Sequence, residues 1–391
     1  MNALWLTSWY PNSSDRYKGD FIQRHAFAAS LYNRIQLIHI EIAERNSLTT
    51  STEITETTNA NLHEKVILIR ASGLPYPFNK AADYLHYLLT FQKHIRRHIA
   101  QNGLPHIVHV HIAMKAGLAA LWIKRKWHIP YLLTEHWTIY NSTAPDRFEH
   151  KSFLFRYFNR LVVKNAAMLL PVSNNLGDAI KQKLYPTTSQ RVLNAVDTSL
   201  FYYQPSTNKD SFLLLHVSVM NAQKNPEGII RAFAALHKTN SHTRLMMIGP
   251  NAPGVAAMPE KLGLPPGSIT FTGEIAYAEV AACMQQADAL VMFSYYENMP
   301  CVILEALCCG LPVISTWVGG VAEVVNTQNG YLVTAGNEQE LHGAMLEMIT
   351  HYNRFNRKEI SDAAQKDFSY QTTGAAMSGI YLSVTGRGNT E

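Results

Sequence analysis

Charge is scarce in this 391-residue chain. Asp, Glu, Lys and Arg make up 16% of it, against about 25% in an ordinary globular domain. The 34 basic and 29 acidic residues leave a formal charge of +5, too mild for a dedicated nucleic-acid binder, whose basic footprint is denser. Disorder is excluded as a global state, because hydrophobic residues reach 47% and aromatics 10%. Cysteine occurs only as Cys283, Cys301, Cys308 and Cys309. An adjacent pair among four does not make a disulfide framework, and the reading is a reducing compartment. No run of 18 apolar residues is present, so no membrane span is expected. Met1–Trp9 is apolar but short and without a basic leader, so it is not read as a signal peptide. CxxC and HExxH are both missing, and the 17 histidines are scattered along the sequence. No GxGxxG follows either opening strand, which disfavours a dehydrogenase.

What is present is strand–helix alternation, in two sets. The length allows two large domains or three small ones at roughly 150 residues each. Strands are predicted at 3–7, 34–42, 66–70, 107–111, 131–134 and 167–172, with helices at 21–32, 81–101, 114–126, 147–166 and 174–184 between and after them. The threonine-rich stretch 43–62 shows no core pattern. The polar stretch Gln204–Asp210 reads as a linker. The alternation then restarts, with strands at 212–217, 244–248, 269–272, 288–293, 312–315 and 331–333. The helices of this second set are predicted at 226–238, 255–263, 276–285, 301–309, 319–325 and 337–351. Alternation of this kind means parallel sheets covered on both faces. The fold class is therefore α/β, with Rossmann-like domains at 1–202 and 203–365 and a C-terminal helical segment, 366–391, that can pack back on the first. Ligands of such sheets bind beyond the carboxyl ends of the strands, so a central cleft faced by both sheets is the expected site.

The sharpest segment is Phe293–Ser315, FSYYENMPCVILEALCCGLPVIS. It leaves a strand, carries Glu297 in a loop, and opens a helix at Pro300, a residue suited to a first turn. Glu305 follows eight residues after Glu297. The backbone N–H groups at Val302 and Ile303, near the helix start, favour a phosphate. Two carboxylates flanking an anion-binding helix start suit a ribose, a diphosphate and a sugar in a row. The plainer alternative is a solvated loop acid and a surface helix acid.

This segment resembles the Glu-x7-Glu signature of retaining glycosyltransferases of the two-Rossmann, GT-B architecture, in the large family 4 group. The resemblance extends over nearly the whole chain. It runs through Asn2–Gly19, Val108-His-Val-His111, Pro171-Val-Ser173, Val192–Asp197, Gln223-Lys-Asn-Pro226, Met247-Ile-Gly249, Phe271-Thr-Gly273, Gly319–Glu323 and Asn329-Gly330. It implies that Glu305 binds the donor ribose, that Glu297 contacts the transferred sugar, and that Lys224 neutralises the diphosphate. The resemblance also places Gly19, Gly249 and Gly273 around the donor, where Asn221 and Gln223 are able to donate hydrogen bonds but carry no charge. His111 is placed near the transferred sugar, and Glu135, His136 and Tyr17 stand on the acceptor side. His109 is read as alternating to the other side of its strand from His111. The chain departs from the pattern at Ser218-Val219, where the family carries an arginine five residues before the lysine.

The resemblance implies transfer of a hexose-type unit from a UDP- or GDP-sugar to an acceptor hydroxyl. Configuration is retained, with no tightly bound cofactor and no metal. The acceptor class is a glycan or lipid-linked glycan of polysaccharide or glycolipid biosynthesis. Two basic runs, Lys93–His98 and Lys124–Trp127, allow either peripheral contact with an anionic membrane or an ordinary solvated face. Nucleic acid is not an expected partner. The expected location is the cytoplasm, including the inner face of the membrane. A non-catalytic sugar-nucleotide-binding protein and a sugar-nucleotide epimerase are the competing readings.

Overall fold

The computed structural model describes residues 1–205, 211–250 and 252–386, so most of the expected linker lies outside the described residues. The chain divides into two compact units. One comprises Met1–Tyr140, Asp146–Ala195 and the chain from Tyr370 on, and the other Asn141–Pro145 and Val196–Ser369.

The first unit is built on β1 (Asn2–Thr7), β2 (Arg34–Ala43), β3 (Thr52–Asn59), β4 (Leu62–Arg70), β5 (Ile107–His111), β6 (Tyr131–Glu135) and β7 (Met168–Pro171). They form one sheet in the order β3-β4-β2-β1-β5-β6-β7. Without β3 this is the doubly wound order 3-2-1-4-5-6. β1 and β5 occupy the centre and are buried on both faces; the apolar residues of β1 run on without alternation, whereas β5 alternates valine with His109 and His111. β3 corrects the sequence reading of 43–62. It is an antiparallel edge strand paired with β4 from Thr52↔Ile69 to Asn59↔Leu62. Six of its eight residues are exposed, so no hydrophobic alternation marks it. Its threonines and glutamates suit a solvated edge.

The helices of this unit are α1 (Asp20–Ser30), α2 (Phe78–Asn102), α3 (Gly117–Trp127), α4 (Phe153–Asn165) and α5 (Asn174–Lys183). α4 starts later than expected, because Ser152 caps it by accepting from the Phe155 amide at 3.3 Å.

The second unit holds β8 (Phe212–Val217), α6 (Pro226–His237), β9 (Thr243–Ile248), α7 (Pro253–Ala256), α8 (Met258–Lys261), β10 (Ile269–Gly273), α9 (Tyr277–Gln286) and β11 (Ala289–Val291). It continues with α10 (Cys301–Cys308), β12 (Val313–Thr316), β13 (Gly330–Val333), α11 (Glu338–Thr350) and α12 (Arg357–Phe368). Its sheet runs β10-β9-β8-β11-β12-β13, all parallel, the same doubly wound order. The single helix expected over 255–263 is two short ones, α7 and α8. The helix expected near 319–325 is one 3₁₀ turn, Val321–Glu323.

The last helix, α13 (Tyr370–Thr385), belongs to the first unit and packs on α1. Its Tyr381 is wholly buried; the hydroxyl accepts from Trp5 Nε1 at 3.1 Å and lies 2.7 Å from His109 Nδ1. Among the described residues, no helix is long and apolar enough to cross a membrane.

Candidate functional site

Doubly wound order locates the sites. The winding direction reverses between β8 and β11 in the second unit and between β1 and β5 in the first, and ligands bind where the loops part at such points.

In the second unit, the loop after β8 and the loop after β11 meet. The Tyr295 amide donates to the Gln223 carbonyl at 2.9 Å, and Gln223 Nε2 donates to the Tyr296 carbonyl at 2.8 Å. Gln223 is thereby spent on holding the two loops together. Asn221 tightens the turn, its carbonyl and Oδ1 accepting from the Lys224 amide at 3.0 and 3.2 Å. Asn225 caps α6 by accepting from the Gly228 amide at 3.1 Å. This framework delivers Lys224 Nζ to Glu297 Oε1 as an ion pair, with Glu297 6% exposed.

Glu305 sits one turn inside α10 and is 3% exposed, which overturns the reading of a surface helix acid. The Tyr277 hydroxyl donates to its Oε1 at 2.8 Å. Neither Tyr277 nor its partnership was legible in the sequence. The Ile303 amide donates back to the Pro300 carbonyl at 3.1 Å, so of the two helix-start amides singled out, Ile303 is turned inward. Gly249 donates to the Gly273 carbonyl at 3.1 Å, which ties the ends of β9 and β10 beside the Ser218 loop. At the departure from the family pattern, Val219 is exposed and uncharged, while Ser218 Oγ joins His216 Nε2 at 2.8 Å.

The loop after β12 closes on the same place. Gly320 donates to the Asn298 carbonyl at 2.7 Å, and Gly319 has φ +53. A Cβ on Gly319 stands 1.9 Å from the Glu297 carbonyl oxygen. Gly319→Ala therefore combines a disfavoured backbone with a backbone clash. It is expected to cost on the order of 3 kcal/mol in urea denaturation and to displace Glu297.

In the first unit, Gly19 caps α1 at φ +71, and a Cβ there would stand 2.9 Å from the Trp9 backbone, so no side chain fits. Tyr17 is exposed beside it. The histidines are not scattered in space. His25 of α1, His109 and His111 of β5 and His136 after β6 gather in one buried group. His109 and His111 lie on the same side of β5, ring centroids 4.4 Å apart, because residues two apart share a face. This corrects the expected alternation. His111 stacks on Trp5 at 4.3 Å, and its carbonyl accepts from the Ser8 amide at 3.1 Å. Burial lowers the pKa of each ring, to about 3 for His25 and His109 and well below the ordinary value for His111 and His136. At neutral pH these are uncharged rings, able to share hydrogen bonds but not to neutralise a phosphate. Ring nitrogens of His25, His111 and His136 lie within 4.8 Å of one another, near enough to share an ion.

Glu135 is 1% exposed. Its carboxylate accepts from the amides of Ala113, His136 and Trp137 at 3.0, 2.9 and 3.0 Å. It organises the ends of β5 and β6. Burial pushes its carboxyl up, against those three hydrogen bonds.

Residues 52–200 match the family model for Glycosyltransferase Family 4, and residues 203–367 match that for Glycosyl transferases group 1. The chain is 26% identical over 394 residues to TuaC of Bacillus subtilis (strain 168), a glycosyltransferase assigned to teichuronic acid biosynthesis; the alignment covers 96% of this chain and 94% of TuaC. The fold is similar to that of sucrose-phosphate synthase from Thermosynechococcus elongatus, with TM-score 0.78, 16% identity, and 99% and 100% of the two chains covered. It is also similar to Anabaena HepE in complex with UDP-glucose, with TM-score 0.70, 16% identity, and 98% and 100% covered.

Proposed function

The chain belongs to the group 1 and family 4 glycosyltransferases, and we propose that it is a retaining enzyme that moves a hexose-type unit from a UDP- or GDP-sugar to a glycan or lipid-linked glycan hydroxyl. Membership sets aside the epimerase. The observation that carries the proposal is the Lys224–Glu297 ion pair at the β8/β11 crossover, with buried Glu305 eight residues along the same segment. In this reading Lys224 swings from Glu297 to the diphosphate and offsets the charge that gathers on it as the glycosidic bond breaks. Glu297 is then released to a sugar hydroxyl, and Glu305 accepts from the ribose hydroxyls. The leaving phosphate takes the acceptor proton on the same face, so no side chain is consumed as a nucleophile.

The name of TuaC supports a polysaccharide acceptor, and the HepE complex supports a uridine nucleotide. Contact with an anionic membrane is supported by α2, which exposes Phe78, Leu85 and Leu89 on a helix bearing Lys93 and Arg96. Trp122 and Trp127 of α3 add to it, with Lys126 5.5 and 4.8 Å from their ring centroids. Four free cysteines support a cytoplasmic, reducing location.

A panel of UDP-, GDP- and ADP-sugars, scored by the rise in Tm, tests the donor class. One base is expected to stabilise the protein, and Glu305→Gln is expected to weaken it by about tenfold, the loss of one charge-assisted hydrogen bond. The product's anomeric configuration, read by NMR, tests retention; inversion sinks it. Val219 favours one second reading, a donor-binding protein without transfer, which donor binding with no product would establish.

A further inference from the structure

The first unit carries a polar cavity at the opposite end of its sheet from the loops described above. It has a volume of ≈ 210 Å³, room for several waters. It lies where the amino ends of β2 and β4 pass under the last turns of α2. A helix-on-sheet contact is ordinarily apolar. Here β2 supplies Arg34, β4 supplies His63 and Lys65, and α2 supplies His94, Arg97 and His98.

Register explains the convergence. His63 pairs with Gln36 and Lys65 with Ile38, so β2 and β4 present alternate residues to one face. His94, Arg97 and His98 share the facing side of α2 at helical spacing. The one carboxylate in the lining, Glu56 of β3, is taken by Lys65 at 2.7 Å and lies 3.5 Å from His63. Arg34 and Arg97 form no ion pair among the described residues. His94 is 7% exposed, and its Nδ1 is buried without a hydrogen-bond partner. A buried nitrogen of that kind ordinarily has a partner. Two guanidiniums, a lysine and three imidazoles around one cavity, against the single carboxylate of Glu56, form a site for a compact anion with several acceptor oxygens.

We propose that this cavity binds a phosphate-type dianion, free or as a phosphomonoester, separately from the nucleotide sugar. The guanidiniums of Arg34 and Arg97 supply forked donors, one from β2 and one from α2. Burial and the neighbouring charges of Lys65, Lys93 and Arg97 hold the His94 pKa at about 4, and an anion in the cavity offsets those charges.

Titration calorimetry with inorganic phosphate, pyrophosphate and glycerol phosphate, at fixed ionic strength, tests the site. Saturable one-to-one binding is expected, weakened at least tenfold in Arg34→Gln/Arg97→Gln. Both residues are exposed, so the variant is expected to fold. Its nucleotide-sugar affinity is expected to match that of the unsubstituted protein. Tighter binding of glycerol phosphate than of phosphate identifies an ester as the ligand, and the reverse order identifies a free anion. Absence of saturable binding by all three, or affinity unchanged in the double variant, overturns the proposal.

Discussion

Lys224→Ala is expected to lower kcat/KM for sugar transfer by about 10²–10³-fold, the range for losing one preorganised charge at the site of developing negative charge. Steady-state kinetics with the stabilising donor measure it, and most of the loss is expected in kcat, because the charge gathers in the transition state. The family pattern would share this work between lysine and arginine. Here Val219 stands at the arginine's position and Gln223 is spent on the Tyr296 carbonyl. The cationic role therefore concentrates on Lys224, which places the effect at the upper end of the range.

The same substitution leaves Glu297 buried without its cation, and breaking a buried pair from one side destabilises the fold by about 3–5 kcal/mol. A second variant separates the two effects. Lys224→Ala/Glu297→Gln removes the stranded charge, so its Tm is expected to recover while transfer stays low. Transfer by Lys224→Ala within tenfold of the unsubstituted enzyme would remove the lysine from the mechanism.

The parts of this arrangement legible in the sequence are those written in short range. The Glu297–Glu305 spacing, Pro300 and the strand ends on either side specify a loop, a helix start and two acids without reference to anything distant. The contacts that give those acids their setting are long-range. Tyr277 meets Glu305 from α9, and Gly319 meets the Glu297 carbonyl from the loop after β12. Nothing within a few residues of either announces the meeting. β3 escaped notice for a different reason: a solvated edge strand has no buried face to impose period two. The histidine group needed strand geometry applied correctly at one step. His109 and His111 are two apart, hence on one face, and parallel neighbours β1 and β6 then bring Trp5 and His136 to them. The setting of Glu135 is likewise partly long-range, its carboxylate accepting from the Ala113 amide after β5 as well as from two amides of its own loop.

The buried histidines make acid the condition to which the first unit is most sensitive. Their folded-state pKa values are depressed, so the folded unit refuses protons that the unfolded chain accepts at its ordinary value near 6.5. Stability is therefore fully present above about pH 6.5 and is lost as pH falls from there toward the folded pKa. For His25 and His109, both held at about 3, the loss by pH 5 is ~1.36 × 1.5, or ~2 kcal/mol each. His111 and His136 add in the same direction. Glu135 acts in the opposite sense, because its raised pKa lets the folded unit take a proton first. The second unit holds one comparably enclosed ring, His216, at about 4. Urea denaturation at pH 7.5 and at pH 5 is expected to show at least ~4 kcal/mol lost from the first unit, a large share of the 5–15 kcal/mol typical of a folded domain. Amide exchange at pH 5 is expected to show its sheet opening before that of the second unit. His109→Gln, which keeps a polar group between Tyr381 and Thr134 without a titrating ring, is expected to make the pH dependence shallower by about one proton. A loss below 1 kcal/mol over this interval would mean that the four rings are already hydrated in the folded protein.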